Sequence, residues 1–162
     1  MQGKGRYPNL TAEHEVSGYQ INLLADCANV SVELMHDILF NGAELKYGEF
    51  NALYHLLSCL NGYKHYSKDY LMSPKLSLLD PRSHRTRYRA KVLSEAIREV
   101  SKYSIEDSYH IEHLRRAKRT LASMGTGKWI RYASYRHALC DVNSIRRRIE
   151  EEQSRRGREA TA

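Results

Sequence analysis

The chain has 162 residues, 41% of them hydrophobic, and a formal net charge of +7, enough for one large helical domain or two small ones. No apolar run reaches the ~20 residues needed to cross a bilayer. The opening Met1-Gln2-Gly3-Lys4-Gly5-Arg6 also lacks the apolar core of a signal peptide. A membrane partner is therefore not expected, and a cytoplasmic location is.

Taken in order, the chain first shows a helical head. Pro8 suits the first turn of a helix, where its missing N–H goes unused. Leu10 begins that helix's apolar series, and Gly18 can end it. A second short helix carries Ile21, Leu24, Ala25 and Ala28 on one face. Asn29 tolerates the positive φ of a tight turn, and Val30 fills the core beneath it. Ser31 has the hydroxyl to cap a third helix, with Leu34, Met35, Ile38 and Leu39 pointing inward. Short helix, tight turn and capped helix make the helix-turn-helix plan.

Tyr7-Pro8-Asn9-Leu10-Thr11-Ala12-Glu13, Leu24-Ala25-Asp26-Cys27-Ala28-Asn29-Val30-Ser31 and Asn41-Gly42 carry a resemblance. The first 65 residues or so resemble the Xre/Cro class of phage-repressor DNA-binding domains, in its divergent members on Firmicutes phages and mobile elements. The resemblance implies a DNA-binding transcriptional regulator. Ser31 would cap the recognition helix, and Val32, Glu33, His36 and Asp37 would face the major groove. It also implies a homodimer, because operators are palindromic. The chain departs from the family pattern in two places. Ile21 stands where the family opens its second helix with Gln, and the third helix runs one residue longer before Asn41-Gly42. Its outward positions are acidic where DNA readers carry donors to base edges and phosphates. That acidic face supports an alternative: a phage-encoded inhibitor or adaptor that binds a protein target, similar in plan to some anti-CRISPR proteins.

Beyond the motif, 49–60 continues the head with Phe50, Leu53, Tyr54, Leu56, Leu57 and Leu60 as one stripe, and Asn61-Gly62 stops it. The expected core of the head is Leu10, Leu24, Ala25, Val30, Met35, Ile38, Leu53 and Leu57. Residues 63–85 read as a connector, partly ordered by Leu71, Leu76, Leu78 and Leu79 packing against one of the two halves, with a boundary near residue 73 that divides the chain into domains 1–73 and 74–162. The second part reads as three helices. Tyr88, Val92, Ala96, Val100 and Tyr103 mark 86–103; Tyr109, Ile111, Leu114, Ala117, Leu121 and Met124 mark 106–124; Tyr135, Leu139, Val142, Ile145 and Ile149 mark 134–155. Residues from Ser154 on have no apolar partner and read as a frayed tail. The fold class expected is all-α, a helix-turn-helix head followed by a basic helical domain.

Charge divides the same way. Residues 1–73 hold five Lys/Arg against eight Asp/Glu, and 74–162 hold 21 against 11, so the polyanion footprint lies in the second part. Its clusters are Arg82, Arg85, Arg87, Arg89 and Lys91, then Arg115, Arg116, Lys118 and Arg119, then Lys128, Arg131, Arg136, Arg146, Arg147 and Arg148. Arg115, Arg116, Arg119, Arg131, Arg136, Arg146, Arg147 and Arg148 are the expected contacts to a DNA or RNA backbone. Tyr88, Trp129, Tyr132 and Tyr135 offer stacking surfaces among them, of the kind that grip bases or line an interface. The competing reading is a solvated face paired to Glu95, Glu99, Glu150 and Glu151.

Other chemistry finds little support. Gly125-Thr126-Gly127-Lys128 lacks the spacing and the Ser/Thr of a phosphate loop and reads as a helix stop. His110 and His113 share a helix face without an evident third ligand, so no metal and no cofactor is expected. Cys27, Cys59 and Cys140 are odd in number and far apart, which predicts reduced core thiols. No catalytic motif appears, and no enzyme is expected.

Overall fold

A computed structural model describes residues 5–17, 20–61 and 68–161. Among these, eight helices and one two-residue ladder account for the regular structure, an all-α fold. The chain separates into two compact units, Met1–Leu78 and Leu79–Ala162. The division falls five residues beyond the position read from the sequence, because Tyr70 to Ser77 is tied to the first helix.

The first unit holds α1 (Pro8–Ser17), α2 (Ile21–Ala28), α3 (Val32–Phe40), α4 (Tyr47–Asn61) and α5 (Lys68–Met72). Leu10, Leu24, Ala25, Ala28, Met35, Ile38, Leu39, Phe50, Leu53 and Leu71 form one buried cluster. Val30 packs against it half-buried. The side chains of Leu56, Leu57, Cys59 and Leu60, and the stops at Gly18 and Gly62, lie outside the described residues. Leu34, expected inward, is exposed. A nine-residue helix buries one stripe, and Met35, Ile38 and Leu39 already fill it at i, i+3 and i+4.

Two joints hold the motif. Asn29 takes φ 57°, the left-handed conformation an Asn side chain tolerates, and its N–H reaches the Ala25 and Asp26 carbonyls. Ser31 Oγ accepts the Leu34 N–H at 3.1 Å, closing the start of α3. Ser31→Ala should therefore lower the stability of this unit by about 1 kcal/mol in urea titration. An unchanged midpoint would show that water replaces the cap without cost.

In the described part of the connector Leu71 and Leu79 are buried, as expected, Leu78 is exposed, and polar bonds add further order. Asn9, fully buried on α1, donates to the Tyr70 and Lys75 carbonyls at 2.8 and 3.1 Å. Its Oδ1 accepts from Ser77 N at 2.7 Å. Tyr70 Oη donates to buried Glu13 at 3.0 Å. These bonds from one Asn fold the segment after α5 back along α1, and no apolar pattern in the connector announces them.

The second unit begins at Leu79, in β1 (Leu78–Leu79), whose ladder partner is β2 (Ile130–Arg131), and is built on α6 (His84–Ser101), α7 (Ser108–Gly125) and α8 (Tyr132–Thr161). α8 packs against both α6 and α7, so every residue from Tyr135 to Cys140 is buried and the narrow stripe expected there is a broad one. α6 buries Thr86, Leu93, Ala96, Ile97 and Val100. Tyr88 and Tyr103 therefore fall outside the buried face, as do Tyr109 and Ile111 on α7. Gly125 closes α7 and Gly127 takes φ 77° beyond it, a helix stop by geometry.

The expected frayed tail is helix to Thr161, with every side chain from Glu151 to Thr161 exposed. Arg, Glu, Gln and Ala favour helix without any core. Glu151 and Glu152 precede Arg155 and Arg156 by four residues, the supportive order.

Candidate nucleic-acid interface

The residues expected to contact nucleic acid fall on two surfaces, one in each unit. In the first unit, α3 turns Val32, Glu33, His36 and Asp37 to solvent, the four side chains expected to face a groove. Val32 is 46% exposed, and Leu23 and Leu34 are exposed as well. α3 carries no Lys or Arg. Both acids have local duties. Glu33 sits in the first turn of α3, where a carboxylate against the helix dipole contributes about 0.3–1 kcal/mol. Asp37 Oδ1 accepts from Asn41 Nδ2 at 2.7 Å, and its carbonyl takes the Asn41 and Ala43 N–H groups, fixing the turn after the helix. The His36 ring lies 5.1 Å from that of Phe40. Ser31 spends its hydroxyl on the cap.

In the second unit the expected phosphate contacts separate into distinct environments. Arg115 and Arg119 share Glu112 at 3.0 and 3.2 Å, so one acid serves two of the expected phosphate contacts. All three side chains are about half exposed or more, and such pairs are worth about 0–1 kcal/mol. Either Arg can leave Glu112 for a phosphate at little cost. Arg146 lies 3.7 Å from Glu99 of α6, a pairing between helices rather than the i,i+4 pairing of the competing reading. Arg147 and Arg148 are exposed, and Arg131 is half-buried.

Arg136 must be withdrawn from the surface set. It is 1% exposed, inside the broad buried face of α8, with Nη2 3.3 Å from His137 Nε2. A side chain there cannot reach a phosphate. Spacing placed it beside Arg131 and Tyr132, but packing on two helices turned it inward.

A cluster of cations without local acid lies at the start of α6. Ser83 Oγ caps that helix by accepting the Arg85 N–H, and its first turn holds no acid. His84, Arg85 and Arg87 crowd the positive end of the dipole, where a cation costs about 0.3–1 kcal/mol. Asp80 is engaged by Arg82 at 3.5 Å. No Asp or Glu occurs from Pro81 to Ser94, nor from His113 to Cys140. An open hollow of about 430 Å³ runs along His84, Arg85, Tyr88 and Arg89. The Arg89 guanidinium stands 5.4 Å from the Tyr132 ring, which lies 6.4 Å from Tyr135. Burial pushes the Tyr135 hydroxyl pKa up, with Arg89 pulling it down and Tyr132 and Tyr88 adding to the rise.

A separate polar cluster sits between α7 and α8. His113 Nδ1 donates to the Tyr109 carbonyl at 2.7 Å, which leaves Nε2 facing Asp141 at 4.0 Å. Burial raises the Asp141 carboxyl pKa, and His113, His137 and Arg116 oppose that rise. A carboxyl raised in the folded state stabilises fully below its unfolded pKa and loses that contribution as pH rises through the folded value. Asp141→Asn should therefore gain stability relative to the parent between about pH 4 and 7, read by urea midpoints across that range. A difference that does not grow with pH would contradict the burial.

Among the described residues, no group of three His, Cys, Asp or Glu side chains is placed to hold a metal ion. His110 approaches Asp107 at 3.6 Å, as an i,i+3 pair at the start of α7. No described helix is long and apolar enough to cross a membrane. Compared with models of protein families, with curated proteins and with solved structures, the chain matches none of them.

Proposed function

We propose that this chain is a DNA-binding regulator of the helix-turn-helix type, with α3 in the major groove and the basic second unit on the phosphate backbone. One observation supports this most: an eight-residue helix, a left-handed Asn29 and a Ser31-capped helix that buries Met35, Ile38 and Leu39 while presenting Val32, Glu33, His36 and Asp37. This is the local geometry that lets a recognition helix project from its support. The resemblance to Xre/Cro domains is in keeping with it and adds a homodimer on a palindromic operator. Glu33 and Asp37 count less against groove binding once their capping and turn duties are recognised. A Glu can also accept from cytosine N4.

The test is selection of a preferred duplex from a random pool, followed by salt titration. A selected duplex should bind at least about tenfold tighter than random DNA, since each wrong base pair costs about 1–3 kcal/mol. Replacing Glu33, His36 and Asp37 together by Ala should change which duplex is preferred. Replacing Arg147 and Arg148 by Gln should instead weaken all duplexes alike and flatten the salt slope by about 0.9 per lost contact.

A specific observation favours a second reading. Leu23, Val32 and Leu34 are exposed beside Glu33 and Asp37, an apolar and acidic surface that suits a basic protein target. If no duplex is preferred at any salt, the inhibitor or adaptor reading takes the place of the regulator.

A further inference from the structure

The start of α6 combines an uncompensated positive field with flat aromatic surface left in water. Tyr88 is 68% exposed, and Trp129, the chain's only Trp, is 53% exposed. Arg89 connects the two segments that carry these rings. It follows Tyr88 on α6, and its guanidinium stands over Tyr132, three residues beyond Trp129. Three residues span at most about 10 Å of chain, so the Trp129 backbone lies within that reach of Tyr132. Arg85, one turn before Arg89 and lining the same hollow as Tyr88, adds an exposed cation.

A duplex backbone would use the arginines and ignore the rings, because paired bases keep their faces inside the stack. An unpaired strand offers both chemistries, phosphates for Arg and free π-faces for Tyr and Trp. An acidic protein surface could also use both, since Tyr, Trp and Arg are common interface anchors, but its binding would not depend on bases. Positive charge beside flat exposed rings fits the strand, and base-dependent binding separates it from a protein partner.

We infer that Arg85 and Arg89 with Tyr88, Trp129 and Tyr132 form a binding surface for single-stranded nucleic acid, phosphates on the arginines and bases on Tyr88 and Trp129. This surface lies wholly in the second unit and goes beyond the groove reading assigned to α3. It equips the chain to hold a melted or unpaired segment, which a repressor-like head alone does not do.

Trp129 supplies the signal. The full chain is titrated with oligothymidylate, with oligouridylate, with an abasic strand of equal length and charge, and with a random duplex. Both base-bearing strands should quench Trp129 fluorescence and the abasic strand should not. Tyr88→Ala should weaken oligothymidylate binding by about five- to a hundredfold, the usual loss of one stacked base. It should leave random-duplex affinity unchanged, while Tyr88→Phe should bind as the parent does. Tyr88 is exposed, so these variants leave the core intact. Tighter binding of one base-bearing strand assigns the surface to DNA or to RNA, and equal binding assigns it to both. The inference is overturned if the abasic strand binds as tightly as oligothymidylate, or if Tyr88→Ala leaves the ratio of strand to duplex affinity unchanged. Neither result bears on sequence preference through α3, so the two readings fail separately.

Discussion

Leu24→Asp is expected to remove the folded first unit. Leu24 is 1% exposed at the centre of the cluster that joins α2 to Met35, Ile38, Phe50 and Leu53. Truncating a buried Leu to Ala already costs about 2–5 kcal/mol. An Asp must in addition either ionise among apolar side chains or take up a proton far from its ordinary pKa, and each is costly. A total of about 4 kcal/mol or more is a large share of the stability of any domain. Urea unfolding followed by far-UV circular dichroism should show the helical signal of 8–61 lost at low denaturant. A variant that unfolds with the parent's midpoint would mean that α2 does not pack as described, and with it the helix-turn-helix geometry would go. The effect should exceed that of Ser31→Ala by several kcal/mol, because a cap is one hydrogen bond at a solvated edge.

The elements of the head were legible because each carries a local signal. Pro8 opens α1, Asn29 takes the left-handed turn, and Ser31 caps α3, each through chemistry confined to a few neighbouring residues. The core of the head follows from helical spacing over short helices with one buried stripe. Leu34 departs from it, where four inward residues were expected of a helix that buries three. The connector was legible only in part, through the burial of Leu71 and Leu79. Its further order comes from Asn9 reaching the Tyr70 and Lys75 carbonyls and the Ser77 N–H, contacts more than sixty residues apart in sequence.

The candidate site divides along the same line. The exposed face of α3 could be read from periodicity, since Val32, Glu33, His36 and Asp37 alternate with the buried set. In the second unit, charge and aromatic clustering located the basic stretches but could not sort them. Glu112 serves both Arg115 and Arg119, and Glu99 approaches Arg146 from a different helix. His137 and Asp141 are four apart on α8, a spacing visible in the sequence. The approach of His113 to Asp141 requires α7 to pack on α8 and was not. Arg82 to Lys91 read as one basic run. The structure separates it into Arg82 paired with Asp80 and a set at the helix start without local compensation.

The same distinction makes Arg136 a residue of stability, and its replacement the second large effect expected. Arg136 lies with Tyr135, His137, Ala138, Leu139 and Cys140 in the stretch of α8 covered on all sides. Its side chain fills core volume along its aliphatic stem and hydrogen-bonds at its head, with Nη2 3.3 Å from His137 Nε2. Arg136→Ala would empty that volume and leave polar neighbours without their partner. The expected loss is about 2–5 kcal/mol, the range for large-to-small changes in a core. Arg136→Met restores most of the stem volume without a charge, and should recover much of the loss, since a well-packed apolar replacement of a buried charge is often close to neutral. Thermal and urea unfolding of the two variants, followed through Trp129 in the same unit, separate these contributions. Nucleic-acid affinity measured on folded protein should keep the parent's salt slope in Arg136→Met, because a buried guanidinium releases no counterion from a phosphate. If Arg136→Met is as stable as the parent yet its salt slope falls by about one contact, the guanidinium must reach the surface, and the packing of α8 between α6 and α7 would need to be redrawn.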